Sequence, residues 1–260
     1  MSEHYEAELS FAVRVAENAG KIMLKYFDGD QLTEIKEDGS PVTIADKQIN
    51  SMIIAELKRN FPGDGLIGEE ESTTDYGNGR KWFCDPIDGT IAYTQGVPTS
   101  MFSLGLVEDG RPQMGVVYDP YLDRMYTATK ANGSFCNHQR LAVSADTLDK
   151  GIVAVTSDVR KIVHGLEHVK ALADTKAYLT TFNGAVYKSV LVARGKFVGY
   201  IEKGVSAHDM AAVELIVEES GGKVTGIDGN ELDYTQPFKG AVVSNGIVHD
   251  ELVRIASDNQ

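Results

Sequence analysis

Three stretches of the chain carry carboxylates in patterns that suit a hard cation. In DPIDGT at residues 85–90, Asp85 and Asp88 bracket Pro86 and Ile87 at the end of the strand-like run KWFCD, and Gly89-Thr90 follow. Proline cannot donate to a sheet ladder, so the strand is expected to stop there and throw both carboxylates out at its end. Both can then converge on one cation, with the Ile87 carbonyl as a neutral oxygen ligand. A helical turn opening at Gly89 would aim the free amides of Gly89 and Thr90 at the same spot, where they suit a phosphate oxygen. The bland alternative is a pair of turn dipeptides, Asp-Pro and Asp-Gly. In GEEES at 68–72, Glu69, Glu70 and Glu71 follow the strand-like DGLIG, a crowding of charge that solvent or a cation must relieve. His208-Asp209 opens a helix that runs to Gly221-Gly222, with Asp209 at the position of an N-cap, a wholly structural role for an isolated Asp. Thr43-Ile44-Ala45-Asp46 reads as a capping-box analogue at another helix start.

IGEEES at 67–72, DPIDGT at 85–90 and HDMAA at 208–212 followed by EESGG, with PVTIAD at 41–46 upstream, resemble the signatures of the inositol monophosphatase-like family of metal-dependent, lithium-sensitive phosphomonoesterases. Order and spacing match across nearly the whole chain. The resemblance implies Mg2+ ligands at Glu69, Asp85, the Ile87 carbonyl, Asp88 and Asp209, holding two or three ions. Glu69 is preferred to Glu70 because it directly follows Gly68. The resemblance also implies catalytic roles for Glu69, Asp46 and Thr90, with Thr90 hydrogen-bonded to Asp46 to orient the attacking water. Substrate contacts are implied at Asp88, Gly89, Thr90, Ala185, Glu202 and Asp209, within a layered α-β-α-β-α sandwich that often forms a homodimer. Two departures border the substrate side: His208 stands where the family commonly has Trp, and Asn183-Gly184-Ala185 where it has Gly-Ser-Ala or Gly-Thr-Ala. They keep inositol phosphate, histidinol phosphate, a sugar phosphate, fructose bisphosphate and a nucleotide phosphate all in view. The rival from another class is a binding module for a protein or RNA complex that retains the fold. A lost ligand or a basic surface run would mark it, and the sequence has neither.

These side chains need a frame. Residues 5–27 place Leu9, Ala12, Val13, Ala16, Ala19, Met23, Leu24 and Phe27 at helical spacing, and a second helix after Pro41 carries Ile44, Ile49, Ile53 and Leu57 up to Phe61-Pro62-Gly63. From residue 65 short apolar runs alternate with turn residues, and Asp109-Gly110 predicts an antiparallel hairpin between 101–107 and 114–119. After residue 150 strands alternate with helices. The expected fold class is α/β (α+β), an N-terminal lobe over 1–145 and a C-terminal lobe over 146–260 that contributes Asp209 to a single compact unit.

Composition narrows the partners. With 38 acidic against 25 basic side chains and a net charge of −13 over 260 residues, phosphate-rich nucleic acid and anionic membranes are poor partners, and a small phosphorylated metabolite brought in by cations fits better. Cys84 and Cys136 form no CxxC pair and read as reduced, buried thiols, and no export leader or membrane-length apolar run occurs, so a cytoplasmic protein is expected. His164 and His168 have zinc-helix spacing, but Gly165 stands where the HExxH glutamate would, so a solvated helix face is expected. Asp228-Gly229-Asn230 starts like a calcium loop without completing one and predicts a hairpin turn.

Overall fold

The computed structural model describes residues 5–29, 31–37, 39–73, 79–155 and 166–257. Helix α1 (Glu6–Phe27) is followed by a two-stranded ribbon, β1 (Glu34–Ile35) with β2 (Pro41–Val42), and by helix α2 (Ile44–Asn60). Helix α2 starts where it does because Thr43 and Asp46 close a capping box. It stops before Pro62, with the Phe61 N–H still bonded to the Leu57 carbonyl at 2.8 Å. Both helices bury one stripe, Phe11, Val15, Ala19 and Met23 on α1 and Ala45, Ile49, Ile53 and Leu57 on α2, against one face of a seven-stranded sheet.

That sheet runs β3 (Gly65–Gly68), β4 (Arg80–Asp88), β5 (Met101–Glu108), β6 (Arg111–Asp119), β7 (Arg124–Thr129), β8 (Ser134–Cys136) and β9 (Gln139–Arg140) in that spatial order. β3 pairs parallel to β4 and the rest form an antiparallel meander. The expected hairpin joins β5 and β6 through Asp109 (φ 51°) and Gly110 (φ 76°), both left-handed as a tight hairpin turn demands. Trp82 on β4 is fully buried edge-on against Phe11 at 5.3 Å, and its indole N–H donates to Asp64 at 2.9 Å, which ties β4 to the first helix layer.

A second, five-stranded sheet has the order β11 (Tyr178–Thr181), β10 (Ile152–Val155), β12 (Gly199–Lys203), β14 (Gly240–Ser244), β13 (Lys223–Gly226). β10 pairs parallel to β11 and β12, and β14 runs antiparallel to β12 and β13. The short helix α3 (Thr90–Thr94) follows β4, and helices α4 (Leu166–Asp174), α5 (Ala185–Ala193), α6 (Ala207–Glu218) and α7 (His249–Ser257) belong to the second half. The layers are α1 and α2, the seven-stranded sheet, α5 and α6, the five-stranded sheet, then α4 and α7: an α-β-α-β-α sandwich.

Helix α6 is buried on every side from Met210 to Val217, as a helix between two sheets must be. It lies on bare strand backbone. A Cβ at Gly105 would stand 2.7 Å from the Ala211 carbonyl carbon, and one at Gly115 would strike Ala212. Among the described residues no helix is long and apolar enough to cross a membrane.

Four local readings need correction. β4 does not end at Pro86 but continues to Asp88 through a bulge, because a residue without an N–H is tolerated where the ladder is interrupted. The Asp228-Gly229-Asn230 turn opens a long connection, residues 227–239, between β13 and β14 rather than a tight hairpin. His168 is buried, not solvated, with neither ring nitrogen hydrogen-bonded, and burial holds its pKa below the usual value; His164 lies outside the described residues. Cys84 is buried, but Cys136 is only half-buried; both are unbridged.

Candidate metal centre

The bulge in β4 is what makes a site. In a regular strand, residues three apart point to opposite faces. Here Asp85 sits opposite Ser103 and Asp88 opposite Met101, two residues apart on the partner, so the extra residue turns both carboxylates to the same side. The Ile87 N–H donates to Asp85 Oδ1 at 3.0 Å and the Thr90 hydroxyl donates to the Ile87 carbonyl at 3.1 Å, which closes the turn into α3, whose N-cap is Gly89. Asp209 arrives from the other half of the chain. One carboxylate oxygen from each of Asp85, Asp88 and Asp209 lies within 4.8 Å of the other two.

Asp209 is not the N-cap of α6. Ser206 is, and Asp209 occupies the third helical position, where its Oδ2 accepts the Ser206 N–H at 2.6 Å to complete a capping box. Asp88 meets the start of α5. Its Oδ1 accepts from Ala185 N–H at 2.9 Å and its Oδ2 from Val186 at 3.0 Å and Tyr187 at 3.3 Å, so a carboxylate faces the positive end of a helix. Gly184 permits this approach: it has φ +92°, and a Cβ there would strike the Asp88 carboxylate. The Ala185 N–H is thus spent on Asp88.

A second cluster adjoins the first. β3 lies parallel to β4, and the Glu69 N–H continues the pairing onto the Cys84 carbonyl at 3.0 Å, which sets Glu69 beside Asp85. Ligand oxygens of Asp46, Glu69 and Glu70 also fall within 4.8 Å of one another, while Glu71 is exposed. Glu69 and Glu70 are both half-buried. Lys36 bridges them, with Nζ 2.9 Å from Glu69 Oε1 and 2.6 Å from Glu70 Oε1.

Charge crowding shows in the protonation of the group. Burial, reinforced by Glu69, Asp88 and Asp209, pushes Asp85 well above the ordinary carboxylate range. Burial and Asp209 push Asp88 up to about 7 despite the α5 amides and the nearby charge of Lys188. Asp46 is fully buried and likewise raised by burial to about 7, although Thr43 donates to its Oδ2 through both N–H (2.7 Å) and hydroxyl (2.6 Å). Its Oδ1 is buried with no hydrogen-bond partner. Glu70 is raised by burial, partly offset by Lys36. A set of hard, all-oxygen donors, one of them orphaned and buried, is the environment that a divalent cation of the Mg2+ or Ca2+ type satisfies.

One expected contact is not formed. Thr90 bonds to the Ile87 carbonyl and Asp46 to Thr43, so no Thr90–Asp46 hydrogen bond exists. Glu202 is buried, with its Oε2 bound to the equally buried Lys188. Sequence reasoning passed over Lys36 and Lys188. Lys188 had left a signal, a lone cation inside the apolar run AVYKSVLVA, which a buried partner must balance. Lys36 had left none, because only the pairing of the ribbon brings it to Glu69.

A layered α/β protein whose acidic side chains from both halves meet at a strand bulge and a helix start belongs to a recognisable class, the phosphoric monoester hydrolases that work with divalent cations. A profile of the inositol monophosphatase family matches residues 4–260, and the chain belongs to that family. The histidinol-phosphatase of Mycobacterium tuberculosis is 34% identical over 255 residues, covering 95% of this chain and 96% of that protein. The fructose-1,6-bisphosphatase/inositol-1-monophosphatase of Thermotoga maritima is 28% identical over 251 residues, with 96% of each covered. The crystal structure of the extragenic suppressor protein SuhB from Bartonella henselae superposes with a TM-score of 0.91 at 26% identity, covering 98% of this chain and all of that one.

Proposed function

We propose that the protein hydrolyses a small phosphate monoester with Mg2+ held by Glu69, Asp85, the Ile87 carbonyl, Asp88 and Asp209. The observation that carries the reading is the convergence of Asp85 and Asp88 with Asp209, from opposite halves of the chain, within 4.8 Å. Two or three ions held by these residues would neutralise phosphoryl charge, acidify a water and stabilise the leaving oxygen. Water attacks phosphorus in line: a new P–O bond forms, the bond to the alcohol oxygen breaks, and the water's proton ends on the departing alkoxide. Glu69 and the orphaned Oδ1 of Asp46 accept from that water and orient it. The amides of Gly89 and Thr90, at the start of α3, hold phosphoryl oxygen. The acidic ligands, Asp85 and Asp88 buried and Glu69 and Asp209 half-buried, repel an anionic substrate until cations are bound, so the metal-free protein binds substrate poorly.

A second substrate reading, histidinol phosphate rather than an inositol phosphate, is favoured by the 34% identical relative of that name. It also accords with His208, whose ring Nε2 lies 3.8 Å from Asp209 Oδ1, beside the acidic cluster. A homodimer, lithium inhibition and a cytoplasmic location complete the proposal. The test is phosphate release from inositol phosphates, histidinol phosphate, fructose 1,6-bisphosphate, sugar phosphates and 3'-phosphoadenosine 5'-phosphate, with Mg2+ and with EDTA. EDTA-sensitive turnover of one compound is expected and names the substrate. Silence across the panel from folded, metal-loaded protein overturns the reading in favour of a binding role.

A further inference from the structure

Lys36 enters the acidic clusters from outside both main sheets. It follows β1 directly, its N–H donates to the Ser40 carbonyl at 2.8 Å, and its own carbonyl accepts from Gly39 at 2.9 Å. The ribbon register, Ile35 opposite Pro41, therefore holds Lys36 at the base of a closed turn. From there the side chain reaches both Glu69 and Glu70 with short, charge-assisted bonds, while remaining 23% exposed. One ammonium cannot neutralise two carboxylates, and Asp46 stands beside the same pair. A divalent cation can. A lysine, unlike an arginine, is a compact point charge on a flexible four-carbon stem, so it can occupy cation-binding oxygens and then swing aside into solvent.

We infer that Lys36 is a tethered cation: it holds Glu69 and Glu70 in the metal-free protein and yields them to a divalent ion on loading. One ion of the centre is thereby bound more weakly than its carboxylates alone would hold it, and it exchanges while the ions held by Asp85, Asp88 and Asp209 stay. The inference rests on the proposed role of Glu69 as a metal ligand. Lys36 is then a positioning residue, one that keeps two ligands aligned before metal arrives and sets the affinity of the last ion.

The experiment measures metal binding rather than turnover. Wild-type protein, Lys36→Met and Lys36→Arg are titrated with Mn2+ without substrate, reading free Mn2+ by electron paramagnetic resonance. Lys36→Met should bind the weakest ion about tenfold more tightly, a gain of about 1.4 kcal/mol, and Lys36→Arg, which keeps the charge, should stay closer to wild type. Unchanged or weaker binding by Lys36→Met overturns the inference. Because that variant could fail to fold without metal, wild-type protein is also acetylated with and without Mg2+ and Lys36 modification is read by mass spectrometry. Reactivity should rise several-fold on loading, and equal labelling in both states overturns the inference independently. If the wild type takes up no Mn2+ at all, the proposed function falls first and this inference with it; uptake that is blind to Lys36 sinks only the inference.

Discussion

The two carboxylate clusters are adjacent and chemically alike, yet the fold manages their charge by different means. Around Asp46, Glu69 and Glu70 a mobile type of side chain, a lysine ammonium, supplies the counter-charge. Around Asp85, Asp88 and Asp209 fixed backbone does much of it: Asp88 takes three amides from α5, Asp209 takes the Ser206 amide and Asp85 the Ile87 amide. Where amides fall short of full compensation, burial raises the carboxyl pKa instead. A cation site can therefore be kept stable before its cation arrives either by a removable charge or by a prearranged cage of dipoles, and the second is the more rigid.

If rigidity concentrates catalysis in the amide-held cluster, its members should be the costlier to alter. Asp209→Asn is expected to lower kcat/KM by on the order of 10²–10³-fold with the fold intact, while Glu70→Gln costs about tenfold. Steady-state kinetics with circular dichroism checks this, and equal losses would dissolve the distinction. The next effect is on stability. Asp46 and Asp88 are both raised to about 7 by burial, so the folded protein keeps protons that the unfolded chain releases above about 4. Their stabilising contribution is full below that value and lost as pH rises through 7. In EDTA the unfolding free energy should fall by about 2–4 kcal/mol between pH 5 and pH 8, and Mg2+ should largely remove the fall. Thermal or urea melts at the two pH values decide it; a flat EDTA profile would mean the carboxylates are already ionised. Glu214 gives a control outside both clusters. Burial raises it to about 8, and it accepts the Tyr234 hydroxyl at 2.6 Å, so Glu214→Gln should flatten whatever slope persists in Mg2+. The smallest effect is at Thr43→Ala, expected to cost about 1 kcal/mol through the lost cap and to loosen Asp46 alone, leaving the Asp85 cluster's metal affinity untouched.

Much of the frame was legible from period and punctuation. The α1 and α2 stripes, the β5–β6 hairpin at Asp109-Gly110 and the later strand-helix alternation all reflect local rules that tertiary packing did not override. The acidic motifs were legible as types and spacings, and the structure brings them together. Two local signals were read only halfway. Pro86 announces an interrupted ladder but not whether the strand ends or bulges, and the bulge is what aligns Asp85 with Asp88. Ser206 three residues before Asp209 is a capping-box pair, so the sequence already held the correct helix start. The contacts of Lys36 with Glu69, of Lys188 with Glu202 and of Asp88 with the α5 amides join segments that share no local pattern, and no window of sequence contains them.

Helix α6 rests directly on the strand backbone at Gly105 and Gly115, and it carries Asp209. During synthesis at about 5–20 residues per second, the seven-stranded sheet emerges several seconds before that helix. Its inner face, with Val107, Val117 and Tyr126, has nothing to lie against in the interval, and Asp85 and Asp88 lack their third carboxylate. The nascent chain thus passes through a window in which it is vulnerable to aggregation and has an incomplete cation site, and one docking event closes both.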